Sequence, residues 1–132
     1  MRAAISMQNS LVKESKIRIK SGEDLIRQID WHKVDFLVPV IAQDYLTGRV
    51  LMLGYMNQEA LRKSLQGGKI TYYSRTRRCL WTKGDTSGHF QYIKGIWLDC
   101  DNDTLLIKVK QRGRVCHNGH KTCFYKKYAN KK

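Results

Sequence analysis

The sequence predicts a mainly β fold with two or three short helices, an α+β arrangement in one domain, and three observations carry that reading. Runs rich in β-branched and aromatic residues recur between turn signals often enough for about seven strands. Two segments show helical spacing, each with its own start signal. The length of 132 residues, 42% of them hydrophobic, suits a single ordinary core.

Taken in order, residues 1–20 hold no motif and read as an N-terminal extension, mobile or loosely packed. Ser21 then serves as an N-cap, with Glu23 and Asp24 in the first turn of a helix whose apolar side is Leu25, Ile26 and Ile29. Trp31 and Phe36 are expected to anchor its exit, and His32 reads as a structural or surface residue. Leu37–Gln43 and Arg49–Met56 flank Asp44-Tyr45-Leu46-Thr47-Gly48 as a hairpin. Pro39 has no N–H to donate, so it belongs at an edge or at the start of pairing. Met52 and Met56 read as core filler. Asn57 caps a second helix, Gln58–Gln66, with Ala60, Leu61 and Leu65 on one face and Gly67-Gly68 as its stop. Strands follow at Lys69–Ser74, at Tyr92–Leu98 and, after a turn at Asn102-Asp103, at Thr104–Gln111. Cys79 reads as a packed thiol, residues 21–125 as the single domain, and residues 126–132 as a basic, partly ordered tail.

Twenty-five Lys and Arg against eleven Asp and Glu give a net charge of +14. Such a balance raises nucleic-acid binding. The basic residues are nevertheless spread along the chain, apart from Arg75-Thr76-Arg77-Arg78 and the tail, so a solvated surface that steers anions is the preferred account. The first twenty residues carry Lys13, Glu14, Lys16, Arg18 and Lys20 without a secretory apolar run. No stretch approaches the ~20 apolar residues of a membrane span. A reducing, cytoplasmic setting follows, where clustered cysteines bind metal more often than they form disulfides.

Two clusters carry the chemistry. In an extended Asp99-Cys100-Asp101-Asn102-Asp103, alternation puts Asp99, Asp101 and Asp103 on one face and Cys100 on the other. Hard oxygens suit Mg²⁺ or Ca²⁺, thiolates suit Zn²⁺. An EF-hand counted from Asp99 would need glycine where Thr104 stands and glutamate where Lys110 stands, which excludes that loop. A metal-free, acidic turn remains the competing account. Cys116 and Cys123 lie in a loop with Gly119 between them; with Cys100 and the adjacent His117 they fit the N/S preference of zinc, and three protein ligands would leave a fourth position for water. The paired knuckles of a zinc ribbon and the H-x-E…P-C-x-x-C of a base deaminase are both missing. Ser74, Arg75, Thr76 and Arg77 at a strand end form either a phosphate grip or an exposed basic turn. Trp81 stacks on a purine or packs in the core, and His89 is a further acid or base candidate.

Asp99-Cys100-Asp101-Asn102-Asp103, Gln111-Arg112-Gly113-Arg114-Val115-Cys116-His117-Asn118-Gly119 and Thr122-Cys123-Phe124 together resemble the signature of the phosphoribosyl-AMP cyclohydrolase family. The likeness extends upstream through Ser74-Arg75-Thr76-Arg77 and Leu80–Gly88, covering roughly Phe36 to Phe124. It implies hydrolysis of 1-(5-phosphoribosyl)-AMP in histidine biosynthesis. A zinc-activated water attacks C6 of the N1-ribosylated adenine, and the N1–C6 bond opens without loss of ammonia. It also implies zinc on Cys100, Cys116 and Cys123, with ligands drawn from both subunits of a homodimer, and magnesium on Asp99, Asp101 and Asp103. The family fold is a buckled mixed sheet closed into a pseudobarrel. In that setting His117 is the candidate for proton transfer, and Ser74, Arg75, Arg77, Trp81, Lys83, Thr86 and Ser87 for substrate contacts. Asn118 and Thr122 stand where the family has threonine and serine, a departure that touches fine contacts. The chain is expected to lack the pyrophosphohydrolase domain fused in some relatives. The alternatives are a basic zinc-containing nucleic-acid module without catalysis, which predicts steeply salt-dependent binding, and a metal-binding protein without catalysis.

Overall fold

The Ser21 side chain accepts the Asp24 N–H and starts α1 (Gly22–Gln28) in the computed structural model, which describes residues 18–129. The predicted extension falls largely in residues 1–17, and the end of the basic tail in 130–132, both outside the described residues. Leu25, Ile26 and Ile29 are buried, as is Trp31, whose indole N–H donates to the Ile26 carbonyl at 2.8 Å. Phe36 departs from expectation. It is 50% exposed in a left-handed turn with its ring against His32, so Trp31 and not Phe36 is the buried aromatic at the exit of α1.

β1 (Val38–Asp44) and β2 (Val50–Met56) form the predicted hairpin. Asn57 caps α2 (Gln58–Gly67) by accepting the Ala60 N–H, and Gly68, at φ +74°, ends it in the left-handed conformation that glycine takes without strain. β3 (Thr71–Ser74) pairs with β4 (Cys79–Thr82). β5 (Gln91–Leu98) and β6 (Leu105–Gln111) complete a mixed four-stranded sheet of order β2-β1-β6-β5, in which β1 and β6 run parallel. Pro39 sits at the start of β1, one residue before the β6 ladder begins at Val40, so its missing N–H removes nothing from that ladder.

The core lies on one face of this sheet. Val38, Val40 and Ala42 alternate inward along β1, as Leu105, Ile107 and Val109 do along β6, all at 0% exposure. α2 covers the adjoining β2 and β3, and Met52 and Met56 are buried within the same core.

Three expectations need correction. Six strands are present among the described residues where about seven were expected, and β4 occupies a stretch for which no strand was predicted. Cys79 opens that strand and is exposed, because a two-stranded sheet has no second layer over its outer positions. The sheet also does not close into a barrel among the described residues. The β3–β4 hairpin reaches β5 by a single bridge, Lys69 to Tyr92, and faces β2 through side chains instead of a ladder. At that facing, a Cβ on Gly54 would lie 2.5 Å from Cδ1 of Tyr72, so glycine is what lets the ring lie against the strand.

Candidate metal and substrate site

The aspartates converge, by a route other than alternation. β5 ends at Leu98, and Asp99 accepts the N–H groups of Asp103 and Thr104 at 2.9 and 3.2 Å, folding residues 99–103 into a turn with Asn102 at φ +64°. A short polar side chain tolerates that left-handed position. Asp99, Asp101 and Asp103 each present an oxygen within 4.8 Å of the others, and no other three His, Cys, Asp or Glu side chains do so among the described residues. The turn is braced by the segment after α1, through Asp30 N–H to the Asn102 carbonyl at 2.8 Å.

From that segment Lys33 reaches into the cluster, 2.8 Å from Asp101 and 2.9 Å from Asp103. Its ammonium holds the Asp103 carboxyl down at about 2, and the pairs with Asp101 and Asp103 raise the Lys33 pKa. A lysine thus compensates two of the three carboxylates. The sequence offered no signal for it, since Lys33 and Asp101 are 68 residues apart.

At the other end of β6 the cysteine loop folds back onto β2. Thr122 donates its hydroxyl to the carbonyls of Val50 and Leu51, and the Cys123 N–H donates to Leu51 at 2.8 Å. Within the loop, Cys116 N–H donates to the His120 carbonyl and Gly119 N–H to the Cys116 carbonyl. The two thiols are neighbours: burial and the adjacent Cys116 push the Cys123 thiol up, opposed by Lys83. Lys83 itself is only 8% exposed, and burial lowers its pKa against the pull of the two sulfurs. His117 is exposed on the turn beside Cys116.

Cys100 is not part of this pair. It is exposed in the β5–β6 turn, at the end of the sheet where β6 meets Val40, whereas Cys116 follows the end of β6 that lies beside Asp44. Seven residues of β6 intervene. At the rise of a strand this separates the two ends by roughly 20 Å.

Of the predicted substrate contacts, Ser74, Arg75, Arg77 and Trp81 line one cavity of about 270 Å³ with Tyr55 and Tyr72. The Arg75 guanidinium lies 4.0 Å over the Tyr55 ring, and the Ser74 hydroxyl accepts the Arg77 N–H at 3.2 Å. Trp81 is half-buried, packed at 5.3 Å against Tyr72 with part of its surface facing the cavity. Lys83 lies instead beside the thiols. Thr86 and Ser87 are exposed on the following turn, where Ser87 accepts the His89 N–H. His89 sets its Nδ1 3.1 Å from the Arg114 carbonyl, which requires the proton on Nδ1 and leaves Nε2 as the acceptor in the neutral ring.

The model of the phosphoribosyl-AMP cyclohydrolase family matches residues 52–125, from β2 through the cysteine loop. The chain belongs to the phosphoribosyl-AMP cyclohydrolase family. It is 56% identical over 104 residues to a phosphoribosyl-AMP cyclohydrolase of Clostridium botulinum (strain Alaska E43 / Type E3), covering 79% of this chain and 95% of that protein. A second protein of that name, from Clostridium beijerinckii, is 54% identical over 76% of this chain and 93% of its own length. A relative from Yersinia pestis named histidine biosynthesis bifunctional protein HisIE is 56% identical over 77% of this chain, which spans 50% of it. In this cyclohydrolase-family chain the matched span contains every candidate metal-binding residue and every residue that lines the Arg75–Trp81 cavity. Lys33 and Arg49 fall outside it. Among the described residues no helix is long and apolar enough to cross a membrane.

Proposed function

We propose that the chain performs the reaction for which its relatives are named, hydrolytic opening of the purine ring of phosphoribosyl-AMP in histidine biosynthesis, as a cytoplasmic homodimer. The observation that carries this reading is the pair of neighbouring thiols, Cys116 and Cys123, set beside the buried Lys83 in a chain of this family. Two soft donors suit zinc, and Cys100 of a second copy would complete a three-sulfur set that one chain cannot assemble across the length of β6. When bound, zinc supplies the Lewis acidity that brings the pKa of a water to near neutrality. The three carboxylate oxygens of Asp99, Asp101 and Asp103 fit magnesium by hardness and proximity, with Lys33 as the cation to be displaced.

The remaining roles belong to the chain. Arg75 and Arg77 hold a phosphate of the substrate, Arg75 kept flat by Tyr55, while Trp81 offers an aromatic face to the purine. His117, whose imidazole can both accept and donate a proton, takes a proton from the attacking water and returns one to N1. Oxygen is gained at C6, the N1–C6 bond breaks, and the exocyclic nitrogen stays as a carboxamide. A spectrophotometric turnover assay on phosphoribosyl-AMP tests the reading. Turnover is expected from the zinc-loaded protein, is lost on chelation and returns with added zinc. A zinc-loaded protein that leaves the substrate untouched refutes it.

A further inference from the structure

We propose that the cavity beside the cysteine loop is a second phosphate seat, taking one of the substrate's two ribose 5-phosphates while the Arg75–Arg77 turn takes the other. It rests on the cyclohydrolase reading. The cavity has a volume of about 460 Å³ and is lined by Arg49, Arg114 and Lys121 around Leu51 and Gly113. That is room for a phosphorylated sugar rather than a bare ion. None of the three cations has an ion-pair partner among the described residues.

Asp44 is the single acid on the rim, and its Oδ2 is engaged within its own turn, accepting Leu46 N–H, Thr47 N–H and the Thr47 hydroxyl at 3.1, 2.7 and 2.9 Å. Those bonds, the Thr47 N–H first, hold its carboxyl below the usual range, so it stays charged without pairing with the cations. Three cations against one carboxylate leave a rim charge of about +2, close to the −1.5 to −2 of a phosphate monoester near neutral pH.

The position is also right for a substrate with a phosphate on either side of a purine. Arg114 stands two residues before Cys116 and Lys121 two before Cys123, and Leu51 holds the Cys123 N–H, so an anion here lies next to the thiol pair. β2 carries both cavities, with Leu51 in one and Gly54 in the other. Leu51 and the next residue, Met52, place the two cavities side by side along the strand. The cavity at Leu51 is the one against the loop that carries the sulfurs.

Ribose 5-phosphate titrated into the full chain, followed by amide NMR shifts, reads the seat directly. Residues 111–123 are expected to shift with ribose 5-phosphate and not with ribose, and the response should weaken at least tenfold in R114Q/K121Q. The R62Q/K63Q variant, which removes the same charge from exposed positions on α2, should bind like wild type. In turnover, R114Q/K121Q should raise KM for phosphoribosyl-AMP by on the order of 30-fold with kcat nearly unchanged. For one of the two analogues lacking a single 5′-phosphate, wild type and variant should share one KM. Absence of shifts in residues 111–123 of the wild type overturns the proposal, as does an equal rise in KM for the substrate and both analogues. Failure of the wild type to turn over phosphoribosyl-AMP would sink the cyclohydrolase reading, and the amide shifts would still decide the seat.

Discussion

If zinc is held by Cys100 of one subunit and by Cys116 and Cys123 of the other, two inactive variants should repair each other in one dimer. Cys100→Ala removes a ligand from the β5–β6 turn, and Cys116→Ala removes one from the loop beyond β6; the two positions lie at opposite ends of a seven-residue strand. Each homodimer then has two broken sites. In the heterodimer, one site combines both substitutions, while the other joins the intact Cys100 of one chain to the intact Cys116 and Cys123 of its partner. One site of two survives, so zinc content and kcat per dimer should each be about half those of wild type. The assay is co-expression with two different affinity tags and purification on both. Metal is then measured by atomic spectroscopy, and turnover with phosphoribosyl-AMP. Cys116→Ala paired with Cys123→Ala serves as the control and should remain dead, because both ligands come from one chain in each site. A doubly tagged dimer with no more zinc or activity than its parents would refute the shared arrangement. Rescue in the control pair would refute the assignment of Cys116 and Cys123 to the same side.

Lys33→Met removes the ammonium that compensates Asp101 and Asp103, and should tighten Mn²⁺ or Mg²⁺ binding by on the order of two- to fivefold, read by calorimetry; unchanged or weaker binding would show that Lys33 does not compete for the site. Asp44→Ala loses three hydrogen bonds at the tip of the β1–β2 hairpin and should cost about 1 kcal/mol. Because the folded Asp44 pKa is depressed, its contribution is complete above the ordinary aspartate pKa and fades as pH falls through the folded value; a gap between wild type and variant that widens in acid would contradict this. Tyr72→Phe deletes the donor to Gln91 Oε1 at 2.6 Å, in a place where Gln91 Nε2 already has no partner among the described residues, and should cost about 2 kcal/mol by urea denaturation. No change in the urea midpoint would mean that Gln91 finds another partner.

What could be read from the sequence divides by how far the cause lies along the chain. Ser21 and Asn57 were legible as caps because each acts on an N–H three residues on, and Gly68 as a stop because the left-handed turn is its own local property. The inward alternation of β1 and β6 was legible for the same reason. The meeting of Lys33 with the aspartates, the cations around the Leu51 cavity and the open edge between β2 and β3 depend on which strands become neighbours, and no local pattern states that. Even the acidic cluster was found through a wrong cause. Alternation would have spaced the carboxylates along a strand, whereas Asp99 bends the chain into a turn that gathers them.

The cysteines show the same point most sharply. Cys100 and Cys116 are near in sequence, and nearness suggests one shared loop. The chain between them includes a seven-residue strand held straight by β1 on one side and β5 on the other, so it acts as a spacer. Bending it to bring the sulfurs together would break both ladders and expose Leu105, Ile107 and Val109, at roughly 2 kcal/mol for each side chain uncovered. A second copy meets the requirement without that loss. The rigidity that gives the domain its core is therefore also why three sulfurs, if they are to hold one ion, would have to come from two chains.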